Sequence, residues 1–156
     1  MGGFSGTANA AIELARQTQK LSWTGDTTEK VLLTVTVPPM GINSYLEISS
    51  LFTYPNSANS KVMRVRLGGI GGSVIMQVNA TTSVSATDIN RKVLNRGATN
   101  SQVITNAAVY TGTSIGAVNT TAIETNEGTT LVFTVQNVTS GADTSNLEYA
   151  VVNLFM

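Results

Sequence analysis

The residues best suited to catalysis are two pairs of carboxylates, Glu124 with Glu127 and Asp26 with Glu29, each three positions apart. Paired carboxylates can hydrolyse glycosidic bonds, one as the acid and the other as the nucleophile or base. Both pairs fall in stretches whose composition predicts loops, where solvated charge is the ordinary explanation. We interpret them as surface charge, and glycan hydrolysis is the rival hypothesis.

A glycine-rich segment, Gly68–Ser73, is the one candidate for a phosphate-binding loop. A dinucleotide fingerprint needs G-x-G-x-x-G between a strand and a helix. Here no third glycine falls at the required place, no Gly-Lys-Ser/Thr follows, and Val74-Ile75-Met76 continues as a strand. The glycines are better explained by a tight hairpin or a close approach of two backbones.

Two residue types are absent, since the chain contains no His and no Cys. Their absence excludes Ser-His-Asp and Cys-His catalysis, thiolate or imidazole zinc sites, and disulfides. No stretch matches the Asp/Asn/Gly pattern of a calcium loop. The sequence therefore predicts a protein that is not an enzyme, with no catalytic, metal-binding or cofactor-binding residues and no cofactor.

The composition favours one all-β domain. Thr, Ser and Asn make up 51 of the 156 residues, and only 12% are charged, against about 25% in an average soluble domain. No apolar run is long enough for membrane insertion. The net charge is zero with a pI near 6.2, which argues against binding nucleic acid.

The charges are unevenly distributed along the chain. Residues 61–96 contain six basic residues and one acidic residue, whereas residues 97–156 contain four acidic residues and no basic one. Opposite charge in different segments allows copies of the chain to pair with one another. Scattered solvated charge in a monomer explains the pattern equally well.

From Lys30 onward, apolar and polar residues alternate in short runs separated by Pro, Gly, Asn and Ser. Period-two alternation predicts half-buried strands. About eight strands in this length, with no helix long enough for a parallel crossover, predict an antiparallel jelly-roll-like β-sandwich over residues 23–156. The predicted strands are 31–37, 44–54, 61–67, 73–79, 89–94, 102–111, 129–138 and 147–156. The last is apolar at its end, so it must be covered by the sandwich or by another subunit.

Residues 1–22 differ in composition and predict an N-terminal arm or a short helix. Ala11, Leu14 and Ala15 share one helical face, although Ile12 does not. Such an arm often docks onto a neighbour. Its candidate particle-attachment residues are Phe4, Ile12, Leu14 and Arg16.

Aromatic residues are few, and a glycan binder often stacks a sugar on an exposed aromatic ring. The candidate platforms are Trp23, Tyr45 and Tyr110. Trp23 lies just before the first predicted strand, so anchoring the arm to the sandwich is the favoured interpretation of this residue.

Two segments together resemble the jelly-roll domains of bacteriophage virion proteins, including fibre heads and capsid-surface modules. The first runs from Leu21-Ser22-Trp23-Thr24-Gly25 to Val37-Pro38-Pro39-Met40-Gly41, and the second is the hairpin segment from Asn56 to Gly69. The resemblance covers residues 21–156 and is strongest over 21–72. It implies a component of the virion surface, commonly a homotrimer, without a cofactor. The binding residues of such proteins vary, so none is transferred to this chain.

About 20 residues precede the domain, where fibre proteins usually carry a shaft or an attachment domain. If the chain is the entire protein, the resemblance implies a capsid decoration or head-fibre protein attached through its arm to capsid or other virion proteins. If it is a fragment, the resemblance implies the receptor-binding head of a tail fibre or spike that recognises a host-surface glycan.

Overall fold

The chain is a β-sandwich. The computed structural model describes residues 11–82, 85–105 and 119–156. In order, the strands of this part are β1 (Ile12–Gln17), β2 (Leu21–Thr24), β3 (Lys30–Val37), β4 (Tyr45–Thr53), β5 (Lys61–Leu67), β6 (Ser73–Ala80), β7 (Ala86–Asn95), β8 (Gln102–Ile104), β9 (Asn119–Thr121), β10 (Thr129–Asn137) and β11 (Thr144–Phe155).

The strands form two antiparallel sheets. The larger has the order β1-β11-β4-β7-β8-β9, with β2 also pairing with β11, and the smaller has the order β3-β10-β5-β6. The pairs are nested, because β5 pairs with β6, β4 with β7, β3 with β10, and β1 and β2 with β11. A long hairpin rolled so that successive pairs alternate between two sheets is the jelly-roll winding. The predicted fold class is therefore confirmed.

The inner faces of the two sheets form one core. Phe52 and Leu154 of the larger sheet, and Phe133 and Met63 of the smaller sheet, are fully buried. Alternation along each strand produces this arrangement, because side chains two residues apart share a face. Within the described residues, no helix is long and apolar enough to cross a bilayer.

All eight predicted strands are present within one or a few residues of their expected bounds. β8 is shorter than its predicted range 102–111, because it ends at Ile104. Residues 106–111 of that range lie outside the described residues. The glycine-rich segment is a hairpin turn between β5 and β6, as predicted. A Cβ on Gly72 would lie 2.0 Å from the carbonyl oxygen of Leu67, so the backbones approach closely there.

The prediction of an arm or short helix is wrong for residues 12–22, which contribute β1 and the start of β2. Residues 1–10 lie outside the described residues. Helix-favouring residues in Ile12–Gln17 are overridden by pairing with β11, because tertiary context outweighs weak local propensity. A register shift between Glu13 and Ala15 accompanies the packing of both Leu14 and Ala15 against the core. The boundary of the sandwich therefore lies ahead of residue 23.

Candidate interaction surface at one end of the sandwich

Three loops and one turn meet at one end of the sandwich, and we call this region the loop end. It comprises residues 38–44, 96–101 and 122–128 and the β5–β6 turn, residues 68–72. The nested pairing brings them together, because β3, β5 and β7 finish here and β4, β6, β8 and β10 begin here.

A buried polar network holds these loops together. Gln102, which is fully buried, donates through Nε2 to Asn95 Oδ1 at 2.9 Å and to the carbonyl oxygens of Thr99 and Ile123 at 2.9 and 3.0 Å. Its Oε1 accepts the N–H of Ile123 at 3.0 Å. Every polar group of this amide therefore has a hydrogen-bond partner. A buried amide stabilises the fold only when this condition is met, because an unpaired buried polar group is destabilising.

Thr125 and Asn95 extend the network to the third loop. Asn95 Nδ2 donates to the carbonyl oxygen of Gly41 at 2.9 Å and to Thr125 Oγ1 at 3.0 Å. Thr125 Oγ1 in turn donates to the carbonyl oxygen of Thr99 at 2.7 Å, and its own carbonyl accepts the N–H of Met40 at 2.9 Å. The loop backbones are thereby fixed to one another, so the loop end presents a preorganised surface.

The most exposed large apolar side chains of the described residues lie in or directly beside the loop end. Met156 is 57% exposed, Ile42 51% and Ile70 49%, more than any other large hydrophobic residue there. Ile42 and Ile70 lie within the loops, and Met156 directly follows the β11 residue that pairs with Tyr45. Exposed apolar side chains beside preorganised loops make this end of the sandwich the candidate surface for contact with another molecule.

Charged residues flank these apolar side chains. Glu124 is held in place, since its carboxylate accepts the N–H groups of Thr125 and Asn126 at 3.0 and 3.2 Å. A hydrogen bond from Thr99, together with these backbone bonds, lowers the pKa of Glu124. Arg96 and Glu127 are exposed, and neither has an ion pair within the described residues.

The structure gives Glu124 a role in the turn and does not pair it with Glu127. It also separates the roles of Asp26 and Glu29. Asp26 accepts the N–H and hydroxyl of Thr28 in a local turn. Neither pair is arranged as two free carboxylates that face a common cleft.

Glu29 instead joins the outer face of the smaller sheet. Arg66 binds it in a bidentate fashion, with both distances 2.8 Å, Thr134 donates to it at 2.6 Å, and Arg64 lies at 3.2 Å. Burial opposes ionisation, but the hydrogen bonds from Arg66 and Thr134 and the two guanidinium charges outweigh it and lower the pKa of Glu29. Its geometry is that of a structural ion pair.

The candidate attachment residues are in different environments. Ile12 is 40% exposed on the edge strand β1, whereas Leu14 is half-buried and packs against the core. Arg16 forms an ion pair with Glu13. Phe4 lies outside the described residues.

Trp23 is part of the sandwich, and its ring is occupied. It packs against the core, Lys30 Nζ lies 4.4 Å from the ring centroid, and Gly25 is so close that a Cβ there would lie 2.6 Å from Cζ2. The indole Nε1 is buried without a hydrogen-bond partner in the described part of the chain. These contacts favour the anchoring role over a sugar platform.

Tyr45 is on the outer face of the larger sheet, with neighbours on both sides. Phe155 stacks on its ring at 4.5 Å with an interplanar angle of 2°, and Lys92 Nζ lies 5.6 Å from its centroid. Because β4 lies between β11 and β7, these two groups approach opposite faces of the ring. Phe155 therefore covers one face of the ring, and Lys92 lies at the distance of a cation–π contact. Tyr110 lies outside the described residues.

Neither the network nor the loop end is visible in the sequence. Asn95, Gln102 and Thr125 are polar, and they are separated by up to 30 positions, so nothing local marks them as buried. The exposed Ile42, between Gly41 and Asn43, was the one available signal, because an isoleucine in a turn has no core to enter.

No protein-family model matches the chain, and no curated protein matches it. Among solved structures, it is similar to Bacillus endospore appendages, described as disulfide-linked pili, with a TM-score of 0.45, 10% identity and coverage of 99% of this chain and 98% of that one. This chain has no cysteine with which to form such links.

Two further similarities involve viruses. The chain is similar to VP2 of the infectious bursal disease virus subviral particle, with a TM-score of 0.44 and 11% identity over 94% of this chain, but it spans only 31% of that one. It is also similar to the CBM2 module of an evolved Dit of Lactobacillus casei BL23 phage J-1, with a TM-score of 0.39 and 9% identity over 77% of this chain and 67% of that one. At these identities the similarities concern the β-sandwich alone.

Proposed function

We propose that the chain is a non-enzymatic structural protein of a bacteriophage virion, displayed on the particle surface as a homotrimeric capsid decoration or head fibre. The observation that carries this proposal is the loop end. Three loops are fixed to one another by fully used buried amides. The most exposed large apolar side chains of the described residues are Ile42 on one of these loops, Ile70 in the neighbouring turn and Met156 directly after β11. A rigid apolar surface is suited to a permanent contact with protein.

The assignment to a bacteriophage virion rests on the resemblance of residues 21–41 and 56–69 to phage jelly-roll domains. The residues that carry it form β2, β3, β5 and the loops beside them, so the resemblance concerns the framework of the sandwich. It supports a virion protein and leaves the position on the particle to experiment.

Three acidic residues support a structural role, because each forms an ion pair within the chain. Glu29 binds Arg66, Asp143 binds Lys61, and Glu47 binds Lys92. Each carboxylate is neutralised by a base on a neighbouring strand or loop. A catalytic carboxylate would instead need a free face toward a cleft that admits substrate.

Attachment to the particle is proposed through the N-terminal segment that precedes β1. Residues 2–10 with Phe4 are its main part, and the exposed Ile12 marks the point at which the chain enters the edge of the larger sheet. Because β1 begins at Ile12, removing residues 2–10 deletes no strand of the described part of the chain.

Immunogold labelling of intact particles tests the proposal. Gold over the capsid supports decoration or head-fibre display, and gold confined to the tail supports a fibre or spike head. Unlabelled particles contradict the virion assignment. Deleting residues 2–10 should then abolish labelling while thermal unfolding stays unchanged, and undiminished labelling contradicts attachment through this segment.

A second candidate, recognition of a host glycan, is favoured by one cleft beside β7. Its lining includes Glu47, Ser49, Asn90, Lys92 and Thr105, which offer the hydroxyl, amide and charged groups that hydrogen-bond to sugars. Ser49 already donates to Asn90 at 2.6 Å, and Lys92 lies 2.7 Å from Glu47.

Titration with host envelope polysaccharide tests this second candidate. Asn90→Ala should weaken binding, whereas Thr36→Ala, an exposed control on the smaller sheet, should not. Failure of the unaltered chain to bind polysaccharide excludes the candidate.

A further inference from the structure

Arg91 is a basic residue at a core-facing position of β7. Side chains two residues apart share a face of a strand, and Ile89 and Val93, on either side of Arg91 on that face, are buried. The residue opposite Arg91 on β4 is Ile48, which is also buried. Arg91 itself is half-buried, and its Nη1 donates to the backbone carbonyl oxygen of Asn90 at 3.0 Å. A charged group therefore occupies a position that the strand pattern assigns to an apolar one.

No carboxylate side chain of this protein neutralises Arg91. All nine Asp and Glu residues lie within residues 11–82, 85–105 and 119–156, which the structure describes, and Arg91 forms an ion pair with none of them. Burial accordingly lowers the pKa of Arg91 without an opposing charge to raise it. A cation that has lost part of its water and has no counter-charge is destabilising, and a bound anion would remove that penalty.

Arg91 borders two clefts. It lines the cleft of about 340 Å³ beside β7, and it also lines a second cleft of about 300 Å³ whose other walls come mostly from β6. Small-molecule sites have volumes of about 300–1,000 Å³. Each cleft is therefore at the lower end of this range, which suits a ligand unit the size of one sugar residue.

The cleft beside β7 combines a positive charge with uncharged polar groups. Arg91 and Lys92 are basic and Glu47 is acidic, so the lining has one net positive charge. Glu47 and Lys92 form an ion pair at 2.7 Å, which leaves Arg91 as the base without a partner acid in the lining. The uncharged polar side chains are two hydroxyls and one amide, those of Ser49, Thr105 and Asn90.

We propose that this cleft binds an acidic sugar, a uronate residue of an anionic polysaccharide, and that Arg91 pairs with its carboxylate. The planar guanidinium matches a carboxylate in geometry as well as in charge. The hydroxyls of the sugar ring are then hydrogen-bonded by the uncharged groups of the lining. This inference rests on the second candidate under the proposed function, recognition of a host glycan, and it names the class of sugar.

The uncharged lining favours a sugar over an acidic side chain of a protein partner. A Glu or Asp side chain would use the guanidinium alone, because it has no other polar group to offer. A uronate brings one carboxylate and several hydroxyls, and it therefore also has partners for Ser49 and Asn90. Polar groups that converge on one ligand determine its orientation and give the site its specificity.

Calorimetric titration with oligomers of galacturonate, glucuronate and mannuronate tests the proposal, with the neutral hexose oligomer of each as the control ligand. The variant is Arg91→Gln. The matched control is Arg96→Gln, at an exposed arginine that follows β7 and has no ion pair within the described residues. Thermal melting without ligand separates binding from folding, because removing an unpaired, half-buried cation should not lower the melting temperature.

At least one uronate oligomer should bind at least about tenfold more tightly than its neutral counterpart. Arg91→Gln should weaken that binding at least about tenfold, and Arg96→Gln should leave it unchanged. Equal affinity of Arg91→Gln and the unaltered chain overturns the inference, as does a lowered melting temperature of Arg91→Gln without a change in affinity, which would make the residue structural.

Two further outcomes separate the inference from the glycan candidate on which it rests. If host envelope polysaccharide binds but no uronate oligomer does, the inference is overturned and glycan recognition stands. If neither binds, both are rejected, and the proposed virion role still depends on the particle labelling alone. Tighter binding of poly-glutamate than of every uronate oligomer overturns the sugar assignment in favour of an acidic protein partner.

Discussion

The buried pair of Lys61 and Asp143 gives the sharpest test of the packing. Lys61 is fully buried at the start of β5, with its Nζ 2.8 Å from Ser57 Oγ and 3.3 Å from Asp143 Oδ2, and the Asp143 side chain is 12% exposed. Breaking one partner of a buried pair costs about 3–5 kcal/mol, because the remaining charge is uncompensated. We expect Lys61→Met near the lower value, since Asp143 keeps some water and its hydrogen bond from Ser57 at 2.6 Å.

Asp143→Asn should cost more than Lys61→Met, about 4–5 kcal/mol, because a wholly buried ammonium group then loses its only counter-charge. The double variant removes both charges and should cost at least about 2 kcal/mol less than the sum of the two single changes. Urea unfolding, followed by the fluorescence of the single tryptophan at a fixed protein concentration, measures all four free energies.

The control for this cycle is the exposed ion pair of Glu47 and Lys92, whose side chains are 35% and 50% exposed. Glu47→Gln should cost no more than about 1 kcal/mol, because solvent screens such pairs. If the effects of the Lys61 and Asp143 substitutions are additive within about 0.5 kcal/mol, the two groups do not depend on each other and the reasoning is refuted.

Three further perturbations have distinct outcomes. Gly72→Ala should destabilise the fold by about 3 kcal/mol or more, because the added Cβ would meet the Leu67 carbonyl oxygen. Gly71→Ala is the control and should change the stability by no more than about 1 kcal/mol, because no atom lies within 4 Å of its Cβ position. Equal melting temperatures of the two variants would contradict the close backbone approach in this turn. The lowered pKa of Glu29 contributes stability above the ordinary Glu pKa of about 4.3, which is lost as the pH falls through the folded value. The melting-temperature difference between Glu29→Gln and the unaltered chain should therefore shrink from pH 6 to pH 3, and a constant difference contradicts this role. Deleting residues 151–156 removes the end of a central strand and should abolish cooperative melting; a transition near the parent temperature would show that this strand segment is dispensable.

The strands that sequence analysis predicted share one property. Each has one face in the core and the other in a more polar environment, so the alternation of Met63, Arg64, Val65 and Arg66 is visible without a structure. β9 cannot be predicted from the sequence pattern, because Asn119–Thr121 contains no apolar residue. Its pairing depends on β8, which no local pattern encodes.

β1 cannot be predicted from the sequence pattern for a different reason. Within the described residues its outer edge is unpaired and β11 is its only strand partner. Its register shift brings the adjacent Leu14 and Ala15 against the core. Two adjacent inward residues break the period of two and imitate part of a helical face. The contacts that determine the strand lie more than 130 positions away in sequence, so local propensity could not reveal them.

The charge asymmetry of the sequence is explained mostly within one molecule. Lys61 from the basic segment binds Asp143 from the acidic segment, while Arg64 and Arg66 share Glu29 and Lys92 binds Glu47. These contacts use most of the basic segment, so the sequence excess is a poor measure of the charge available to a partner. At the loop end, Arg96 and Glu127 remain without an ion pair in the described part of the chain. Of the six basic residues in segment 61–96, only Arg91 and Arg96 have no ion pair within the described residues, so charge pairing between copies would have to use one of these two.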